Sequence, residues 1–200
     1  MSPILGIYAS QISGHLWAPS GAYDSIVTAN GTGASGTISF TSIPSTYTHL
    51  QIRGIMRNTT AAYNGSQGLG IRFNSDSAAN YGVHWLTTQP DNAPTSPPVS
   101  ANTLSLTMLN HNYTNPSDGV LANSYGVLIC DLLDYANTNK YKTSRSLSGM
   151  DANGTGTNTG LNFISGLWRS TSAITQIDII SGAGNWTSNT SFALYGIKGN

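Results

Sequence analysis

Gly31, Gly33 and Gly36 follow the order G-x-G-x-x-G. That spacing cradles a pyrophosphate when a strand precedes it, a helix follows and an acid lies about 20 residues on. Here a strand-like run follows, and residues 50–57 contain no acid. Residues 30–36 therefore read as a glycine-rich β-turn. Residues 151–158 (DANGTGTN) resemble a calcium loop in composition. Calcium takes about six to eight oxygens, usually several from carboxylates, and this stretch offers only Asp151. A polar turn with Asn153-Gly154 at its corner is expected.

Glycoside hydrolysis needs two carboxyls at one site. Asp131 and Asp134 are close in sequence, but a spacing of three points them to opposite faces of a strand. A turn-capping role suits them better. His15, His49, His84 and His111 stand far apart with no H-x-x-x-H, and no G-x-S-x-G elbow exists. Cys130 is the single cysteine, so neither an intramolecular disulfide nor a cysteine-based metal cluster is available. Its place in the apolar run 127–133 predicts a buried structural thiol. No catalytic residue, metal ligand or cofactor site is expected, and the chain reads as a non-enzyme. Asn-x-Ser/Thr triplets occur at Asn30, Asn58, Asn64, Asn112, Asn153, Asn185 and Asn189. With so much Asn, Ser and Thr, their number is close to chance.

The elements that would position these residues are strands. Ser, Thr, Asn and Gly make up 90 of the 200 residues, there is no Glu, and Lys is rare. Such a composition disfavours helices and favours strands and turns. Residues 49–57 alternate clearly, with Leu50, Ile52 and Met56 inward and Gln51, Arg53 and Arg57 outward. Similar runs cover 23–29, 37–42, 69–73, 81–86, 104–109, 141–149, 161–168, 174–181 and 191–197. The run 124–133 is nearly continuously apolar, which predicts that both of its faces are covered. Residues 89–99 hold four of the eight prolines and are expected to form a loop, as are residues 113–123 and 151–160. No repeat of fixed period appears. The pattern predicts an all-β antiparallel sandwich, jelly-roll-like, of about ten strands. One sandwich domain is expected over residues 21–200.

Residues 1–20 read as an extended arm without a sustained period. Its apolar side chains, Ile4, Leu5, Ile7, Tyr8, Ile12, Leu16 and Trp17, are the candidate partner-binding set. Ordering such an arm costs on the order of 1–2 kcal/mol per residue, so a partner surface is required. The two loops at 89–99 and 113–123 are expected to point away from it.

Lys and Arg balance Asp at eight each, and only 8% of the chain is charged, against about 25% in an average domain. There is no basic stripe for phosphates, so nucleic acid is not an expected partner. No apolar stretch approaches the roughly 20 residues of a membrane span. The first basic side chain is Arg53, so the charged start of a secretory signal is missing. Trp17, Trp85, Trp168 and Trp186, with ten Tyr, could supply a glycan platform. Aromatics in strands more often form core or interface, and a host glycan stays open as a partner.

The segments GIYASQISGHLWAPSGAYDSIVT (6–28), FTSIPSTYTHLQIRG (40–54), IRFNSD (71–76) with Asn80-Tyr81, DYANTNKYKTSRSLSG (134–149), SGLWRSTSAITQI (165–177) and SFALYGIKG (191–199) resemble a family of small virion proteins of tailed bacteriophages of aquatic bacteria. They span most of the chain, and none is a catalytic motif. The segment 89–123 carries no such pattern. The resemblance implies a non-enzymatic particle component with a β-sandwich body, on the head or in the tail apparatus.

The residues lead to the same expectation. A surface of neutral Ser, Thr, Asn and Gly has few charges to titrate or screen. A compact domain plus an uncharged arm, without a coiled-coil or repeat shaft, suits a capsid decoration or cement protein on the virion surface. Its partners would be phage coat or tail proteins and further copies of itself, with a trimer favoured. The alternatives are a tail-fibre or receptor-binding tip and, from another class, a secreted carbohydrate-binding module.

Overall fold

Alternation of buried and exposed residues, with turn-forming Asn, Asp, Ser and Gly between runs, builds strands throughout this computed structural model. It describes residues 22–60, 68–89, 92–95, 100–103, 106–108, 123–150 and 160–199. Thirteen strands and no helix occur among them. In chain order they are β1 (Tyr23–Asn30), β2 (Thr37–Phe40), β3 (His49–Met56), β4 (Leu69–Phe73), β5 (Tyr81–Gln89), β6 (Asn92–Thr95) and β7 (Ser100–Thr103). Then come β8 (Leu106–Met108), β9 (Gly126–Leu133), β10 (Lys142–Met150), β11 (Gly160–Trp168), β12 (Ile177–Ser181) and β13 (Ser191–Ile197).

The strands form two sheets, all pairings antiparallel. The larger runs β1-β13-β3-β9-β10-β11-β5-β6, with β7 also paired to β5, and the smaller runs β2-β12-β4-β8. Early and late strands pair in a nested way: β1 with β13, β2 with β12, β3 with β9 and β4 with β8. Two excursions leave this ribbon. The excursion β5–β7 lies between β4 and β8, and the excursion β10–β11 lies between β9 and β12. They meet where β5 pairs with β11, and together they widen the large sheet.

The core lies between the sheets. Leu50, Ile52 and Met56 of β3, Leu128, Cys130 and Leu132 of β9, and Phe192 and Leu194 of β13 share one buried cluster with Phe40, Leu69, Ile71, Phe73, Ile177 and Ile179. Each such side chain contributes roughly 1.5–3 kcal/mol by leaving water. Phe73, Tyr81 and Trp168 form an aromatic triangle with centroids 5.5–6.3 Å apart. It welds the widened part of the large sheet to β4.

Several expectations change. The segment 89–99 is not one loop: β5 runs to Gln89, and Asn92–Thr95 forms β6, hydrogen-bonded to β5 at the end of the sheet. An edge is where a proline-bearing strand is tolerated. Ser100–Thr103 forms a further strand, and the strand expected from residue 174 starts at Ile177. The run 124–133 is covered on one face only. Leu128, Cys130 and Leu132 are buried, whereas Val127, Ile129 and Leu133 are exposed. Gln51 does lie on the outer face, yet it is only 6% exposed because its neighbours close over it. The arm residues Ile4, Leu5, Ile7, Tyr8, Ile12, Leu16 and Trp17, the segment 113–122 and the loop 151–159 lie outside the described residues.

Candidate functional site

Strand register decides what the outer face of the large sheet presents. Side chains on one face of neighbouring antiparallel strands line up in rows. One row runs Ile55, Val127, Gly149, Leu161 from β3 to β11. The next runs Arg53, Ile129, Leu147, Phe163 and on to Leu86 of β5. The third runs Gln51, Asp131, Arg145, Ser165, His84.

Apart from Arg53 at the β3 end, the first two rows make an apolar band. Ile55, Leu86, Val127, Ile129, Leu147, Leu161 and Phe163 are each between 44% and 53% exposed. Seven such side chains present on the order of 600 Å² of apolar surface, at the upper end of what a soluble monomer carries as one patch. Gly149 has no side chain to fill its place in the row. A hollow of about 590 Å³ lies there, walled by Tyr125, Val127, Ile129, Leu147 and Leu161.

The third row is polar, with one bond inside it and one from Arg53 at the β3 end of the second row. Gln51 Nε2 donates to Asp131 Oδ1 at 2.7 Å, and Arg53 Nε donates to Gln51 Oε1 at 2.6 Å. The Arg53 guanidinium lies 5.4 Å from the ring centre of Tyr23 and 5.3 Å from that of Tyr195. Such stacking holds the cation in place. Asp131 sits opposite Arg145 in the register. The face therefore joins an apolar band to a row whose charges alternate in sign.

The residues that suggested chemistry are scattered or structural. Asp131 faces outward on β9. Asp134 turns the chain in the left-handed region (φ 50°), pairs with Lys140, and donates its backbone N–H to His49 Nδ1 at 3.0 Å. The two aspartates are not brought together as an acid pair. His84 stands alone on the outer face, while His15 and His111 lie outside the described residues. Cys130 is fully buried, and burial pushes its thiol far above the ordinary value. Among the described residues no group of three or more His, Cys, Asp or Glu could hold a metal ion. Gly33 turns the 30–36 loop at φ 77°, and the loop leads into β2, not a helix. Trp168 and Trp186 are buried, with their indole N–H groups given to Asp76 Oδ2 and to the Ile179 carbonyl. Neither ring is presented to a glycan, and Trp85 packs half-buried against the core.

Sequence reasoning missed this face. The signal lies in the apolar residues on both sides of β9, which predict cover for both faces without saying what covers the outer one. No protein-family model, no curated protein and no solved structure matches the chain.

Proposed function

We propose that the chain is a non-enzymatic structural subunit of a phage particle, a head decoration or cement protein with a jelly-roll body. The four nested strand pairs support the jelly-roll reading, since that fold rolls an antiparallel ribbon over a two-sheet sandwich. The virion assignment comes from the resemblance of residues 6–28, 40–54, 71–76, 134–149, 165–177 and 191–199 to tailed-phage virion proteins.

The observation that carries the assembly role is the apolar band. A lone copy leaves it to water, and burial in an assembly covers it. A body with few charges adds no long-range repulsion between neighbours on a shell. Ile4, Leu5, Ile7, Tyr8, Ile12, Leu16 and Trp17 would supply attachment to coat subunits. A tail-tip role is the runner-up.

Antibody labelling of purified particles in the electron microscope tests the reading. Label distributed over the head supports it. Label confined to the tail end overturns the cement role, and unlabelled particles overturn any virion role. Deletion of residues 2–17 should leave a folded body that no longer joins particles.

A further inference from the structure

We infer that the outer face of the large sheet pairs with the same face of a second copy, about a two-fold axis running along the strands midway between β9 and β10. This rests on reading that face as an assembly surface and names its occupant. An axis so placed, lying between two stacked sheets, exchanges β9 with β10 and β3 with β11. Rows then meet rows. Asp131 faces the partner's Arg145, and Arg145 faces the partner's Asp131. Ile129 faces the partner's Leu147. Val127 points at the hollow over the partner's Gly149. Arg53, whose guanidinium stays over Tyr23 and Tyr195, lies opposite the partner's Phe163 in this register.

Charge selects this axis over its neighbours. An axis along β9 would set Asp131 against the partner's Asp131, and one along β10 would set Arg145 against the partner's Arg145. An axis across the strands would put the charged row against itself or against the apolar band. Like-charge contacts and unpaired charges on apolar surface are both unfavourable. The axis between β9 and β10 instead sets Asp131 and Arg145 against each other twice. The area also fits. The apolar band with its polar row approaches the roughly 800 Å² per partner of a standard interface, and sheets stack face to face about 10 Å apart. The contact is isologous, so a three-fold assembly alone does not provide it.

Molar mass in solution and a charge-swap mixture test the pairing on the full chain. The wild type should sediment with twice the 21.0 kDa chain mass. Asp131→Arg and Arg145→Asp, each alone, create two like-charge contacts across the axis. Each should raise the dissociation constant about tenfold or more. Mixed in equal amounts, the two variants should form a heterodimer, because the arginine introduced in the first variant then meets the aspartate introduced in the second. Repulsion within each chain persists in the mixture, so recovery reports the contact between copies. Ile129→Asp should abolish pairing while circular dichroism stays that of the folded chain.

Three outcomes would overturn the inference: a monomeric wild type at every concentration, single variants that pair like wild type, or a mixture that recovers nothing. If the monomer still labels phage heads with the band protected from solvent there, coat protein is the occupant and the virion role stands. If it pairs as described but labels no particle, the pairing stands and the virion role falls.

Discussion

Trp168 donates its indole N–H to Asp76 Oδ2 at 2.7 Å, joining the end of β11 to the turn between β4 and β5 across 92 residues of sequence. The same carboxylate accepts from Asn80 Nδ2 at 3.0 Å and from the Ala78 backbone N–H at 2.9 Å. The turn is sharp, with Asn74 and Ser75 both in the left-handed region. One carboxylate thus fastens the widened part of the large sheet to the sandwich.

Acid should reveal that fastening. Asp76 is held below its ordinary value first by the Asn80 hydrogen bond, which outweighs desolvation, and then by those from Trp168 and Ala78. Asp134 is lowered too, first by its hydrogen bond to Lys140. A carboxyl lowered on folding stabilises the fold above its unfolded pKa, about 3.9, and that stability is lost as pH falls through the folded value. Melting temperature should therefore stay nearly level between about pH 5 and 8 and drop below about pH 4. Asp76→Ala should cost about 1–3 kcal/mol at neutral pH and flatten the acid limb. An unchanged acid limb in that variant would show that Asp76 does not carry it.

Lys142 is an unusual structural cation. It is 2% exposed, and Nζ donates to the carbonyls of Asn137, Lys140 and Thr171 at 2.5, 2.9 and 3.0 Å. It ties the turn after β9 to the segment after β11. Burial, and then the charge of Lys140, lower its pKa. Lys142→Met should leave three carbonyls without their donor and cost about 2–4 kcal/mol in urea unfolding. Lys142→Arg should not restore stability, since a planar fork cannot reach three carbonyls arranged around a point. Full rescue by arginine would show that charge alone matters there.

The sequence made β3 legible because Leu50, Ile52 and Met56 fall on one face of a half-buried strand, and strict alternation has one physical cause. It made β9 misleading for the opposite reason. A run apolar on both faces predicts cover on both, yet the chain itself covers only the inner one, and periodicity does not say what meets the outer one. The rows Gln51–Asp131–Arg145 and Ile129–Leu147–Phe163 depend on register among β3, β9, β10, β11 and β5. That register follows from nested pairing across distant segments, which no local pattern encodes. β6 and β7 were invisible because they are short and exist through pairing with β5.

Asn162 is fully buried on β11, opposite Ser148 of β10, and among the described residues neither its Oδ1 nor its Nδ2 has a hydrogen-bond partner. Ser146 Oγ nearby is in the same condition. An unmet buried amide costs about 1–3 kcal/mol, whereas an apolar group of similar shape there is near neutral or stabilising. Asn162→Val, which also suits a strand, should unfold at equal or higher denaturant concentration than wild type. A loss above about 2 kcal/mol would show that the amide is satisfied in solution.

Gly54 lies in the middle of β3, where a glycine weakens a strand unless something needs its space. The ring of Phe192 takes that space. The two residues are register partners, and a Cβ on Gly54 would lie 2.3 Å from Phe192 Cδ1 and 2.5 Å from Cε1. The ring cannot retreat easily. Phe192 is fully buried and meets Trp186 edge-on at 5.5 Å, and Trp186 is itself buried and bonded to the Ile179 carbonyl. Gly54→Ala should therefore force a rearrangement of this aromatic pair, costing about 1–3 kcal/mol as overpacking does. For a chain of this size that is a fall of roughly 3–10 °C in melting temperature. Phe192→Leu alone should also destabilise, by loss of packing. Combined, the two should cost less than their sum, because the smaller side chain makes room for the new methyl. Strict additivity in that double-mutant cycle would mean that Phe192 is not what reserves position 54 for glycine.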